Sequence, residues 1–121
     1  MFSGARKCPV FFEINKEEKY FVEDEQDRKK LYNGHEIGYY ISSKYGNLGI
    51  VSSAVNFVCN EIAFKELHLN YINGICFEDN DKSKQVLKNG GFKCVELLQN
   101  GIEENGEKRN IYWFIKERKI D

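Results

Sequence analysis

The sequence predicts an α+β sandwich, a mixed and mainly antiparallel sheet with two helices packed on it. Three observations carry this. Strand-like and helix-like segments alternate from His35 onward. The stretch from Leu48 to Leu67 repeats apolar residues at helical spacing. Two strand-like runs close the chain around Asn105-Gly106, a pair that favours a tight hairpin turn.

Taken in order, Val10-Phe11-Phe12-Glu13-Ile14 and Lys19-Tyr20-Phe21-Val22 read as two short strands forming a hairpin around residues 15–18. Asn33-Gly34 signals a turn, and Glu36 to Ile41 reads as a strand rich in aromatic and β-branched residues. The loop Ser42 to Gly49 leads into the long helix. There Val51, Ala54, Val55, Val58 and Ile62 form an apolar stripe, widened by Ile50 and Phe57. Its β-branched content lowers intrinsic helix propensity, so burial must hold it. Tyr71 to Phe77 is the next strand. Asp79 or Asn80 is the natural cap of a second helix, which Gly90 and Gly91 end. Phe92 to Leu98 and Arg109 to Lys116 are the last two strands. The crossover through the long helix is expected to be right-handed.

Length and composition bound the function. The chain has 121 residues, 41% apolar and 14% aromatic, enough for one domain and one core. A formal net charge of −1 offers no basic excess of the kind nucleic-acid binding usually needs. Arg28-Lys29-Lys30 follows Glu23-Asp24-Glu25-Gln26-Asp27, so the charges cancel locally and read as a solvated loop. No apolar run approaches the ~20 residues that span a bilayer. No apolar stretch follows Arg6 and Lys7, so no secretory signal is read. Cys8, Cys59, Cys76 and Cys94 form no C-x-x-C pair, and no His stands at zinc-ligand spacing. Reduced thiols in a cytoplasm are expected, with no metal site.

The central motifs resemble those of the GNAT acyltransferases, in particular the ribosomal-protein N-terminal acetyltransferase branch. That branch carries E-x-G-Y-W-I, then a loop ending in G-x-G. Here the strand is Glu36-Ile37-Gly38-Tyr39-Tyr40-Ile41 and the loop is Tyr45-Gly46-Asn47-Leu48-Gly49. The branch's A-F-x-x-L-x-L stands as Ala63 to Leu69. Its E-N-x-x-S-x-R-V-L-x-x-x-G-F corresponds to Asp79-Asn80-Asp81-Lys82-Ser83-Lys84-Gln85-Val86-Leu87, then Gly91-Phe92. The match runs from His35 to Lys116. It departs at the phosphate loop, where Asn47 replaces a frequent Gly and Leu48 a frequent Lys. Asn tolerates positive φ, and backbone N–H groups do the binding, so weakened coenzyme affinity is expected. Members also carry a strand and two helices before the first hairpin, and the helices wall the acceptor cleft. Residues 1–34 read instead as strands, so either that wall is missing or a second copy or another chain supplies it.

The resemblance implies acetyl-CoA as cosubstrate and a primary amine or protein N-terminus as acceptor, by direct transfer without a metal. The alternative is a truncated, catalytically silent module that binds coenzyme A weakly or serves as an interaction subunit. Gly46, Asn47, Leu48, Gly49 and Ile50 would cradle the pyrophosphate at the positive end of a helix dipole. Ile41 and Ser42 would pair by backbone with the pantetheine arm. In such folds this strand splays from the next and opens a slot for the thioester. Asn80 would touch the coenzyme arm, or simply cap its helix. Ser83 would protonate the leaving sulfur, or stand as an exposed first-turn serine. Glu36 would be the base, directly or through water, or an outward polar residue of an alternating strand. Tyr39, Tyr40 and Tyr45 would line the slot or belong to the core. His35 and His68 are read as surface residues. An unfilled sheet edge at the N-terminal side leaves room for a homodimer. No nucleic acid and no membrane are expected among the partners.

Overall fold

The computed structural model describes residues 10–16, 18–41 and 48–119. Strand β1 (Val10–Asn15) is followed by helix α1 (Glu25–Asn33), strand β2 (His35–Ile41) and helix α2 (Leu48–Phe57). A π-helical segment (Val58–Glu66) continues α2, and then come β3 (Tyr71–Phe77), α3 (Asp81–Asn89), β4 (Lys93–Glu104) and β5 (Glu107–Glu117). One five-stranded sheet runs β1-β2-β3-β5-β4. Only β2 and β3 are parallel; the other neighbours are antiparallel. The α+β class with a mixed, mainly antiparallel sheet is the one the sequence predicts.

The two faces of the sheet carry separate cores. On one, α2, the π segment and α3 cover Phe12, Ile37, Ile72, Cys76 and Phe114. On the other, Leu31 of α1 joins Tyr20, Val22, Leu98, Ile111 and Trp113. Alternation along β5 sends Trp113 to the second face and Tyr112 and Phe114 to the first. Trp113 and Phe114 are each 1% exposed, and burying a side chain of this size stabilises by roughly 1.5–3 kcal/mol.

Three expectations are corrected. The hairpin read within residues 1–34 does not form, because β1 pairs with β2 from Val10↔Ile41 to Asn15↔Glu36. That long-range pairing gives β2 a second neighbour and buries Phe12 completely. Residues 18–22 form no strand; they cross the second face, with Tyr20 and Val22 buried and the Phe21 N–H donating to Gly101 O at 2.8 Å. Arg28-Lys29-Lys30 is not loop but part of α1, which makes three α-helices among the described residues rather than two. Asp24 caps α1 by accepting from Asp27 N–H at 2.8 Å, and Arg28 Nη1 donates to Val22 O at 2.9 Å.

The long helix exists but changes pitch. Its buried residues after Phe57 are Val58, Cys59, Ala63 and Phe64, a spacing of five that suits a π-helix better than an α-helix. Leu67 N–H accordingly bonds Ile62 O at 2.9 Å. At the other end of the chain, Asn105 (φ 53°) and Gly106 (φ 81°) form the β4–β5 turn. Both central residues at positive φ is the hairpin geometry that Asn-Gly favours.

Candidate functional site

The geometry that matters is where β2 and β3 part. They pair as parallel neighbours only at His35↔Ile72 and Glu36↔Asn73. Beyond Glu36 the register stops, although β2 runs on to Ile41 and β3 to Phe77. The two strands therefore diverge toward their C-terminal ends. Ile41 holds its ladder position only toward β1, opposite Val10. The start of α2 follows in sequence at this end of the sheet, and α3 begins four residues after β3 ends.

The candidate residues fall around this opening as follows. Ser42, Gly46 and Asn47 lie outside the described residues, as do Tyr45 and Cys8. Leu48 opens α2, and Gly49 and Ile50 follow it in the first turn, both exposed. Asn80 is the N-cap of α3: its Oδ1 accepts from Ser83 N–H at 3.0 Å. Ser83 is half-buried in the first turn, and its Oγ lies 2.8 Å from the Tyr39 hydroxyl. Tyr39 crosses from β2 to α3 on the helix-covered face, where its ring sits 6.3 Å from that of Phe12. Burial pushes the Tyr39 hydroxyl up to about 12, so it stays protonated through neutral pH.

Glu36 lies on the opposite face of β2, as alternation requires. The hydroxyl of buried Tyr20 donates to Glu36 Oε1, and the Tyr32 hydroxyl donates to Tyr20 O behind it. Glu36 and Ser83 are thus held by separate networks on the two faces of one strand. Neither link was legible in the sequence: Tyr39 and Ser83 are 44 residues apart, Tyr20 and Glu36 are 16. His35 is half-buried, and burial, then the charge of Lys16, lowers its pKa. His68 is exposed in the turn before β3, at φ 56°.

The surroundings of the opening are polar and charged. Arg109 stacks 3.7 Å from the Phe77 ring centroid and pairs with Asp79 at 3.3 Å. Lys84 lies over the Tyr112 ring and pairs with Asp81 at 3.0 Å. Away from the opening, beside edge strand β4, Glu23, Asp24, Asp27 and Glu96 line a recess of about 590 Å³. A hydrogen bond with Asp27, which holds the proton on Glu96, then burial, raises the Glu96 pKa. The thiols of Cys59 and Cys76 are buried and pushed up to about 12 and about 11. Among the described residues, no group of His, Cys, Asp and Glu is placed to hold a metal, and no helix is long and apolar enough to cross a membrane.

Known proteins share this fold. The family model for an acetyltransferase (GNAT) domain matches residues 19–93. Among solved structures, the ribosomal-protein-S5-alanine acetyltransferase from Vibrio fischeri superposes with a TM-score of 0.63 at 27% identity, covering 69% of this chain and 45% of that one. Mycobacterium smegmatis RimJ in complex with CoA-disulfide gives a TM-score of 0.63 at 25% identity, covering 69% of this chain and 40% of that one. A GNAT-family acetyltransferase from Bacillus anthracis gives 0.64 at 22% identity, over 81% of this chain and 55% of that one, a likeness of fold. The chain spans roughly half the length of the solved structures it matches. A search of curated proteins returns no match.

Proposed function

Because the chain belongs to the GNAT acetyltransferase family, we propose that it binds acetyl-CoA in the opening between β2 and β3 and transfers the acetyl group directly to a primary amine or a protein N-terminus. The observation that carries this reading is the divergence of β2 from β3 after Glu36, which leaves backbone groups of β2 facing a slot rather than a partner strand. The pantetheine arm would bind there as an added strand does. Its pyrophosphate would lie over the start of α2, on backbone N–H groups of residues 46–50.

The chemistry follows from the two faces. The acceptor amine, neutral when it attacks, forms the new N–C bond, and the C–S bond to the coenzyme breaks. Glu36, oriented by Tyr20, takes the proton that the amine loses, directly or through water. Ser83 gives a proton to the departing thiolate and regains one from solvent. Tyr39 keeps the Ser83 hydroxyl in place, since the two oxygens are 2.8 Å apart and Tyr39 remains a neutral phenol. Asn80 contributes through its amide to the coenzyme arm while its carbonyl caps α3.

The Vibrio fischeri neighbour, a ribosomal-protein-S5-alanine acetyltransferase, supports a protein N-terminus or other amine as acceptor. A second reading is a coenzyme-binding module without turnover. The side chains at Asn47 and Leu48, where the resembling family carries Gly and Lys, favour it. One experiment separates the two. Purified protein is mixed with acetyl-CoA and a panel of amines and peptides, and thiol release is followed. Acceptor-dependent release supports the enzyme. Thermal stabilisation by coenzyme A without release supports the module. Neither effect at millimolar coenzyme rejects both.

A further inference from the structure

The fold gathers positive charge that the sequence scatters. A cavity of about 840 Å³ lies at the end of the sheet where β3 begins and β5 ends. Its lining takes Lys65 from the π segment, Lys93 from the start of β4, and Lys116, Arg118 and Lys119 from the end of β5 and beyond. Glu117 is the single carboxylate among the described lining residues. Such an excess of cations is local, since the whole chain carries a net charge of −1.

One of these cations is built into the wall. Lys116 is 9% exposed, and its ammonium donates to Asn56 Oδ1 at 2.6 Å and to Gly90 O at 2.7 Å. Both acceptors are neutral, so its charge is left to act on the cavity. Burial lowers the Lys116 pKa, and the positive charge of Lys119 lowers it further. A bound anion would relieve that repulsion. Phe64 and Ile115 place apolar side chains beside the cations, and Asn56 and Asn60 add amide groups. Arg118 offers a planar fork that matches phosphate oxygens.

The cavity is separate from the proposed coenzyme slot. Leu48 and Lys65 stand at opposite ends of the α2 and π-helical stretch, on the order of 20 Å apart at helical rise. We propose that this cleft is a second binding site, for a ligand bearing several phosphates: a nucleoside triphosphate or a short single strand of nucleic acid. Several cations spread over a space far larger than one carboxylate suit linked phosphates. The mixed apolar and amide lining suits an attached base. The proposal stands whether or not the chain turns over acetyl-CoA.

The test is fluorescence anisotropy of the full chain with a labelled single-stranded oligonucleotide, with ATP as competitor. Saturable binding is expected at low salt. With about 0.7 released counterions per contacted phosphate and four cations on the rim, the slope of log K against log salt should be about −3. The double variant K93E/R118E should weaken binding at least tenfold, on the order of one charge pair lost at each position. All the substituted residues are exposed, and K29E on α1 serves as the control that leaves binding unchanged. Should the double variant fail to fold, K65E replaces it. Displacement by ATP assigns the site to nucleotides, and strand binding that ATP leaves intact assigns it to nucleic acid. Failure of both probes to bind at low salt, or binding insensitive to K93E/R118E, would each overturn the proposal.

Discussion

Asn80 is asked to do two things at once, and substitution can separate them. Its Oδ1 accepts from Ser83 N–H at 3.0 Å, so Asn80→Ala removes the cap of α3. Loss of such a cap costs about 1 kcal/mol. At about 2.1 cal/mol/K of unfolding entropy per residue, a chain of 121 residues has roughly 0.25 kcal/mol/K, so Tm should fall by about 4 °C. Asn80→Asp keeps an acceptor at the same place and should hold Tm within about 2 °C of wild type, because Asp caps as well as Asn. It lacks the amide donor, however. If that donor contacts the coenzyme arm, both variants should bind coenzyme A about fivefold more weakly, the equivalent of one hydrogen bond of about 1 kcal/mol. Differential scanning calorimetry with and without coenzyme A, together with a binding titration, reads both effects. A Tm unchanged in Asn80→Ala would refute the capping geometry. Unchanged coenzyme affinity in both variants would remove Asn80 from the site and leave it as a cap alone.

Further outcomes follow from the same geometry. Tyr39→Phe removes the hydroxyl beside Ser83 Oγ and should cost about 1 kcal/mol. In a double-mutant cycle with Ser83→Ala the pair should show coupling of similar size; additive losses in urea unfolding would mean the bond is not made. At Gly74 an added Cβ would sit 2.7 Å from Leu87 Cδ2 and 3.3 Å from Phe92 Cε2, so Gly74→Ala should destabilise by about 1–3 kcal/mol; a neutral result would show that the contact between β3 and α3 is loose. Alkali should weaken the fold. The thiols of Cys59 and Cys76 ordinarily ionise near 9 but are held at about 12 and about 11, so the unfolded chain loses protons the native chain keeps. Stability present below pH 9 is then lost as pH rises toward 12, and Tyr39, raised from 10 to about 12, adds to the loss. Lys116, whose pKa is lowered, acts in the opposite sense below 10.5. The urea midpoint should fall between pH 9 and 11 and fall less in Cys59→Ala; a midpoint that rises with pH would contradict the burial of these groups.

Much of the fold was legible because local and global preferences agree. The β3 strand, the Asn80 cap, the Gly90-Gly91 stop and the Asn105-Gly106 turn are each written in adjacent residues and were each found where expected. Residues 18–33 differ from the sequence expectation for two physical reasons. Tyr20 and Val22 alternate with exposed Phe21, so a segment strapped across the sheet has the same period as a strand. Helix α1 buries only Leu31, which leaves no apolar stripe to detect, and its signal is the Asp24 cap with acidic residues in the first turn. The π segment was hidden in a stripe that α-helical spacing fits nearly as well, and only the paired burial at Val58-Cys59 and Ala63-Phe64 shows the wider turn.

The site was legible in part. The motif residues pointed to one end of the sheet, and β2 and β3 do diverge there. What holds Glu36 and Ser83 was out of reach, because Tyr20 and Tyr39 come to them through tertiary packing and not through any local pattern. The basic cleft was invisible for the same reason: Lys65, Lys93 and Lys116 meet only once the sheet has formed.

The central claim is that coenzyme A occupies the gap between β2 and β3. Amide chemical-shift mapping during a coenzyme A titration tests it most directly. Saturable shifts should concentrate at Ile41, at Gly49 to Val51 in the first turn of α2, and from Asn80 to Lys84 at the start of α3. Shifts absent at millimolar coenzyme, or confined to the Lys93 and Lys116 end of the sheet, would contradict it.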